Sequence, residues 1–392
     1  MLEAQDDLET QNENMTEDGL VFTCDHEGGS LDRAVRCGQN YYSLILRPDS
    51  WYYFNFHLTG CKDKELIFQF LTREIGMRPP KEYIEGGLRW RLYDSPPIKP
   101  VYSYDGKTWH KVDKMRKSGG IQGSYIFSHY FTENEVYIGY SATYLYSDLQ
   151  AYLAEIRDNP LVDISSLGKT RCEVDMPMVT VGRNPKGKET ILIIAREDAD
   201  EIVGSYAAEG MINFLLTGDP DAEWLLDNYV FRIVPMVSID GVIAGCMYTA
   251  GYGYCNGHWN DPVSPRELEN VKDLLRELKA SGQKIAFAAQ MHSAQTMDRT
   301  LKDCHDGHEV DFYTHNIKLY KTLLTQTTEY WDPVPNACTL KMSSLGFFNR
   351  YLIDNYNVND CFCTHVQGET PDVGRLCGRD LLRAIIYYLR QG

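Results

Sequence analysis

The stretch from Thr190 to Leu216 most constrains what this chain can fold into. It opens with consecutive apolar residues, Ile191 to Ala195, a run suited to a strand buried on both faces. A charged loop follows from Arg196 to Glu201. A helical period then sets in, with Val203, Tyr206, Ala207, Gly210, Met211 and Phe214 on one face. A buried strand whose carboxyl end opens into a polar loop and a helix is where open α/β sheets place ligands. The loop carries two carboxylates three residues apart, Asp198 and Glu201. From spacing alone, two carboxylates at a helix N-terminus are also accounted for by the helix dipole.

The chain around this stretch alternates strands and helices. A helix opens at Ser147, where Ser147-Asp-Leu-Gln150 reads as a capping box, with Leu149, Tyr152, Leu153 and Ile156 as its apolar stripe. Asn159-Pro160 ends it. Segments 178–182 and 190–194 flank the turn Asn184-Pro-Lys-Gly187 and read as a hairpin. A strand is expected over 229–236, and a helix from Ser264-Pro265 to about Lys279 with Leu268, Val271, Leu274, Leu275 and Leu278 inward. A strand over 284–290 leads directly to His292. A helix over 312–328, a strand over 360–366 and a final helix over 379–388 complete an α/β domain with a mostly parallel or mixed central sheet, assigned to 142–392.

Residues 19–141 have another texture. Aromatic and β-branched runs at 41–46, 51–57, 65–70, 100–103 and 135–140 are separated by turn signals such as Asp105-Gly106 and Gly119-Gly120. Short strands at this spacing predict an antiparallel β-sandwich. Its Tyr and Trp residues either form a sugar- or peptide-binding platform or fill a small core, and the core is the expected use. Residues 1–18 are acidic and polar and read as a disordered tail.

Composition narrows the partners. The net charge is −16, with a pI near 5.1. Nucleic acid and anionic membrane surfaces need a basic footprint and are not expected partners. No apolar run approaches the roughly 20 residues of a membrane span, and the acidic N-terminus lacks the pattern of a signal peptide. The 11 cysteines are then expected as reduced thiols in the cytoplasm. Cys361-Phe-Cys363 and Cys304-His305-Asp-Gly-His308 are metal-like spacings with no second matching pair.

The opening stretch resembles the zinc metallocarboxypeptidases, most closely their cytosolic carboxypeptidase branch. That family reads Ala-Arg-x-His-Pro-Gly-Glu here, its His and Glu serving as zinc ligands. Ala195, Arg196 and Glu201 match, whereas Asp198 replaces the histidine and Ala199-Asp200 replaces Pro-Gly. His292, at the end of an apolar strand and followed by Ser293, occupies the place of the third ligand. The resemblance therefore implies zinc as cofactor, held by Asp198, Glu201 and His292 with an open fourth position. It also implies a β-sandwich ahead of the catalytic domain. Further along, Ser238-Ile-Asp240-Gly241 matches the family's Asn-Pro-Asp-Gly in part, and Asn256 and Trp259 match outright.

The departures from the family pattern concern chemistry. Two carboxylates and one histidine leave a zinc site close to neutral, so bound water is less acidic than with two histidines. The family's arginines, which grip a terminal carboxylate, fall at Tyr248 and Gly257, leaving Asn256, Tyr248 and the adjacent His258 as the substrate-binding candidates. The general base, a Glu in the family, falls at or beside His365, with Glu369 close by. The expectation is a metallocarboxypeptidase-like protein with a degenerate site that binds a peptide or protein C-terminal tail with little or no peptidase activity. The alternative is an active zinc-dependent carboxypeptidase or amidase with an altered site and substrate.

Overall fold

The structure is a computed structural model that describes residues 13–16, 18–47, 50, 53–71, 99–118, 124–184, 187–246, 255–293, 300–302, 347–366 and 370–390. They form two compact units, one ending at Ser141 and the other opening at Ala142.

The first unit holds two sheets. One runs in the order Glu13–Met15, Val21–Thr23, Asn55–Thr59, Glu135–Gly139, Val101–Ser103, His110–Lys111, with every pairing antiparallel. The other runs Arg33–Gly38, Tyr41–Ile45, Lys64–Leu71, Ser124–Phe131, Lys114–Lys117. It departs from the expected antiparallel pattern once, because Tyr41–Ile45 lies parallel to Lys64–Leu71. Period-two alternation buries Leu66, Phe68 and Phe70 on one face of that strand. Phe22 and Phe56 of the first sheet meet Phe68 of the second at ring distances of 6.4 and 6.2 Å. Tyr42 and Tyr53 are buried as core residues, while Trp51 and Tyr52 lie outside the described residues. Residues expected in the tail behave differently from a disordered segment. Glu13–Met15 pairs with Val21–Thr23 across a turn in which Thr16 N–H donates to Leu20 O at 2.8 Å.

The second unit is built on a seven-stranded mixed sheet in the order Val162–Lys169, Asp175–Val181, Tyr229–Val234, Glu189–Ala195, Ile285–Ser293, Cys361–Val366, Thr300–Lys302. Four central strands, from Tyr229–Val234 to Cys361–Val366, are mutually parallel. Glu189–Ala195 is buried at every position after Glu189, as its apolar run requires, and so takes partners on both edges. This overturns the expected hairpin. Asp175–Val181 pairs instead with Val162–Lys169, and Tyr229–Val234 lies between it and Glu189–Ala195.

The helix Val203–Leu215 is more buried than a one-faced stripe predicts, with Asn213 its exposed residue. It is clasped by the helix Pro371–Leu389, which starts earlier than expected on the N-cap of Thr370. Two glycines make the clasp possible. A Cβ on Gly210 would stand 2.0 Å from Arg375 O, and one on Gly378 would stand 2.0 Å from Ala207 O. The helix Tyr146–Ile156 buries its expected stripe, but the cap differs from the expected box. Leu145 N–H donates to Asp148 Oδ2 at 2.8 Å, so the helix begins ahead of Ser147. Arg266–Ala280 buries Leu268, Val271, Leu274, Leu275 and Leu278 as its periodicity predicts. The helix expected over 312–328 lies outside the described residues.

Candidate metal centre

The carboxyl ends of Glu189–Ala195 and Ile285–Ser293 are neighbours in a parallel pair, with Ala195 opposite Met291. The loop after the first strand therefore meets the last residues of the second. Arg196 turns the chain with φ of +61°, a left-handed conformation costly for a non-glycine residue. Its guanidinium stabilises the turn by donating from Nε to Ala199 O at 2.7 Å and from Nη1 to Tyr144 O at 3.2 Å. A glycine at 204 lets the incoming helix approach the strand, since a Cβ there would lie 2.4 Å from Met291 O.

The turn brings together Asp198, Glu201 and His292, all buried, with one ligand atom of each within 4.8 Å of the others. His292 Nδ1 touches Glu201 Oε2 and lies 3.4 Å from Asp198 Oδ2. Glu201 Oε2 also accepts from the backbone N–H of Ser293 at 3.0 Å. The helix dipole therefore does not by itself account for these carboxylates, because Glu201 is tied to the strand end. Asp198 Oδ2 faces His292, but its Oδ1 is buried with no hydrogen-bond partner, a costly arrangement for a carboxylate oxygen. An unpartnered oxygen beside a second carboxylate and an imidazole is a donor set that would suit a divalent metal ion such as zinc.

A fourth acid joins the cluster that sequence reasoning did not single out. Glu197 is 1% exposed. Its Oε1 accepts from Trp259 Nε1 at 2.6 Å, its Oε2 accepts from Gln290 Nε2, and the same Oε2 lies 3.7 Å from His292 Nε2. The available signal was the period of two in the strand, which puts Gln290 on the same face as His292. Burial pushes the Glu197 carboxyl up to about 8, reinforced by Asp198 and Glu201 and opposed by His292 and the Trp259 hydrogen bond. Burial also raises Glu201, against the pull of His292. For His292, burial works against the charged form, but Glu201 and Asp198 outweigh it and hold the imidazole well above its ordinary range.

The other candidates are dispersed. Asn256 is half-buried with Oδ1 unpartnered. His258 Nδ1 sits 2.6 Å from Asp261 Oδ2, an exposed pairing. Both flank Trp259, which is fully buried and reaches the centre through Glu197. His365 stands opposite His292 in the register of the two parallel strands. Tyr248 and Glu369 lie outside the described residues, as does the Cys304–His308 spacing. Cys361 and Cys363 are buried and belong to no metal-capable group among the described residues. The cysteines among the described residues form no disulfide. A cleft of about 440 Å³ is lined in part by Trp259, Ser264, Lys272, Arg276 and Tyr351. Its cations are already paired, Lys272 with Glu269 and Arg276 with Glu269 and Asp273. Among the described residues, no helix is long and apolar enough to cross a membrane.

Comparison with known proteins agrees with this geometry. The zinc carboxypeptidase family matches residues 149–250. Cytosolic carboxypeptidase 2 of Mus musculus is 27% identical over 252 residues, covering 58% of this chain and 28% of the mouse protein. Cytosolic carboxypeptidase 1 of Danio rerio is 25% identical over 320 residues, covering 70% and 27%. This chain thus spans little more than a quarter of the length of these relatives. Among solved structures, a metallo-carboxypeptidase from Burkholderia cenocepacia is 18% identical with a TM-score of 0.77, covering 95% of this chain and 99% of that one. One from Pseudomonas aeruginosa, in complex with (2-guanidinoethylmercapto)succinic acid, is 17% identical with a TM-score of 0.76, covering 94% and 99%. With the strand–loop–helix, the acid–histidine cluster and these likenesses in agreement, the chain is similar to the zinc carboxypeptidases over residues 149–250 and to cytosolic carboxypeptidases over a longer stretch.

Proposed function

We propose that this protein holds a divalent metal, zinc by family, through Asp198, Glu201 and His292, and uses the centre to bind peptide or protein C-terminal tails with little or no peptidase activity. The observation that carries this reading is the convergence of the three ligand atoms to within 4.8 Å. In such a centre the ion supplies a Lewis acid for a carbonyl or a bound water. The chain's own residues weaken that chemistry. Two carboxylates neutralise more of the ionic charge than one would. Tyr248 and Gly257 stand where the family has arginines, so neither supplies the bidentate fork that fixes a terminal carboxylate. Asn256, with an unpartnered amide oxygen, and His258 are the polar groups we assign to the tail. We read residues 142–392 as the peptidase-like domain and 19–141 as a β-sandwich formed by the two N-terminal sheets. The relatives' printed name supports a cytoplasmic protein.

A second reading is an active zinc-dependent hydrolase acting on amides or blocked peptides. It is favoured by the backbone register, in which His365 pairs with His292, and His365 and Glu369 are the residues we assign to base work in that reading.

Elemental analysis of protein purified without chelators tests the proposal, with the Glu201→Ala, His292→Ala double variant as control. We expect near-stoichiometric metal that vanishes in the variant, saturable binding of tail peptides, and no turnover above background. Absence of metal after zinc is supplied overturns the centre. Metal-dependent cleavage of amide or peptide substrates overturns the binding reading in favour of hydrolysis.

A further inference from the structure

We infer that Glu197 is a positioning residue for the metal centre, acting by orienting the His292 ring. This rests on the reading of Asp198, Glu201 and His292 as metal ligands. The two nitrogens of His292 face different partners. Nδ1 faces Glu201 and Asp198, so Nδ1 is the nitrogen that would face a cation held by those carboxylates. On the other side of the ring, the carboxyl group facing Nε2 is Glu197, at an ion-pair separation of 3.7 Å. A carboxylate behind a ligating imidazole fixes ring orientation and raises ligand basicity. That gain matters more where one histidine must do the work of two.

Glu197 is itself held for this role. Trp259 Nε1 donates to Oε1 and Gln290 Nε2 to Oε2, from a fully buried indole and from the strand that carries His292. The acid is thus clamped from two directions, with one oxygen turned to the imidazole. Trp259 reaches the centre through its hydrogen bond to Glu197. The loop residue between Arg196 and Asp198 accordingly becomes a second requirement of the site, beyond the three ligands.

The test is metal affinity of stripped protein for zinc, measured by chelator competition, with the cobalt(II) absorption spectrum as a signature of coordination geometry. The proteins are the unsubstituted chain, Glu197→Gln, Glu197→Asp and Trp259→Phe, each checked for folding by thermal unfolding. We expect Glu197→Gln to bind roughly tenfold to hundredfold more weakly with an altered cobalt spectrum. Glu197→Asp should recover part of the loss, and Trp259→Phe should show a smaller loss in the same direction. Unchanged affinity and spectrum in folded Glu197→Gln overturn the inference and leave the metal centre standing. If Glu197→Gln does not fold, Trp259→Phe decides the matter, and unchanged affinity there overturns it. Failure of the unsubstituted chain to bind either ion overturns the centre and this inference together.

Discussion

The backbone N–H of Ser293 donates to Glu201 Oε2 at 3.0 Å, while the Ser293 hydroxyl accepts from Gly204 N–H at 3.1 Å. One residue at a strand end thus ties down both a proposed ligand and the start of the helix behind it. Glu201→Gln preserves the shape and an acceptor for Ser293 while removing the charge. The variant should fold, yet lose more metal affinity than the roughly tenfold to hundredfold that an outer partner contributes. Zinc titration beside a thermal melt checks this.

Asp198→His tests the departure from the family pattern directly. An imidazole suits zinc better than a carboxylate does, and it restores the two-histidine donor set. Zinc affinity should rise by about tenfold, or about 1.4 kcal/mol, while affinity for manganese falls. Competition titrations with both metals read the two directions. Equal gains for both would mean that the substitution acts on packing and not on donor type.

Gly378→Ala tests the clasp behind the centre. The new methyl would meet Ala207 O at 2.0 Å, and the contact is with backbone, so the helices must part. Overpacking of this kind costs about 1–3 kcal/mol or more. Because the displaced helix begins just after Glu201, metal affinity should fall along with stability. Urea denaturation and zinc titration on one preparation measure both.

Arg375 is the cation of a buried network. Its Nε donates to Glu209 Oε2 at 2.8 Å, and Tyr144 OH donates to Glu209 Oε1 at 2.7 Å. Arg375→Ala leaves a buried carboxylate with one donor fewer, and because the guanidinium itself is 36% exposed the cost is about 1–3 kcal/mol. Adding Glu209→Gln should recover much of it. A double-mutant cycle by urea denaturation gives the coupling.

The fold was legible wherever periodicity was strong and local. The run from Ile191 to Ala195 announced a doubly buried strand, and Arg266–Ala280 shows its stripe plainly. Pairing was not legible, because neighbours in a sheet need not be neighbours in sequence. The Asn184–Gly187 turn looked like a hairpin, yet the inserted partner Tyr229–Val234 comes some forty residues later. The family motif singled out Asp198, Glu201 and His292, and these three side chains converge in the structure. Glu197 was not singled out, since an acid in a charged loop is unremarkable until Trp259 and Gln290, far along the chain, close around it.

Glu267 gives a pH signature separate from the metal centre. It is completely buried, and its carboxyl group meets its own backbone N–H in place of a side-chain partner. Burial pushes its carboxyl up from an ordinary 4.5 to about 7, with Asp240 adding to the rise and its own backbone N–H and Arg171 opposing it. A carboxyl whose pKa is higher in the folded state favours folding when protonated. Its contribution is therefore intact below about pH 4.5 and is lost as pH climbs through about 7. At 1.36 kcal/mol per pH unit, that interval is worth on the order of 3 kcal/mol. Glu267→Gln removes the ionisation and keeps the shape. The variant should exceed the unsubstituted protein in stability at pH 8, with the advantage shrinking as pH falls toward 5. Urea midpoints across that range provide the check. A constant difference between the two proteins at every pH would show that the Glu267 pKa is the same in the folded and unfolded states.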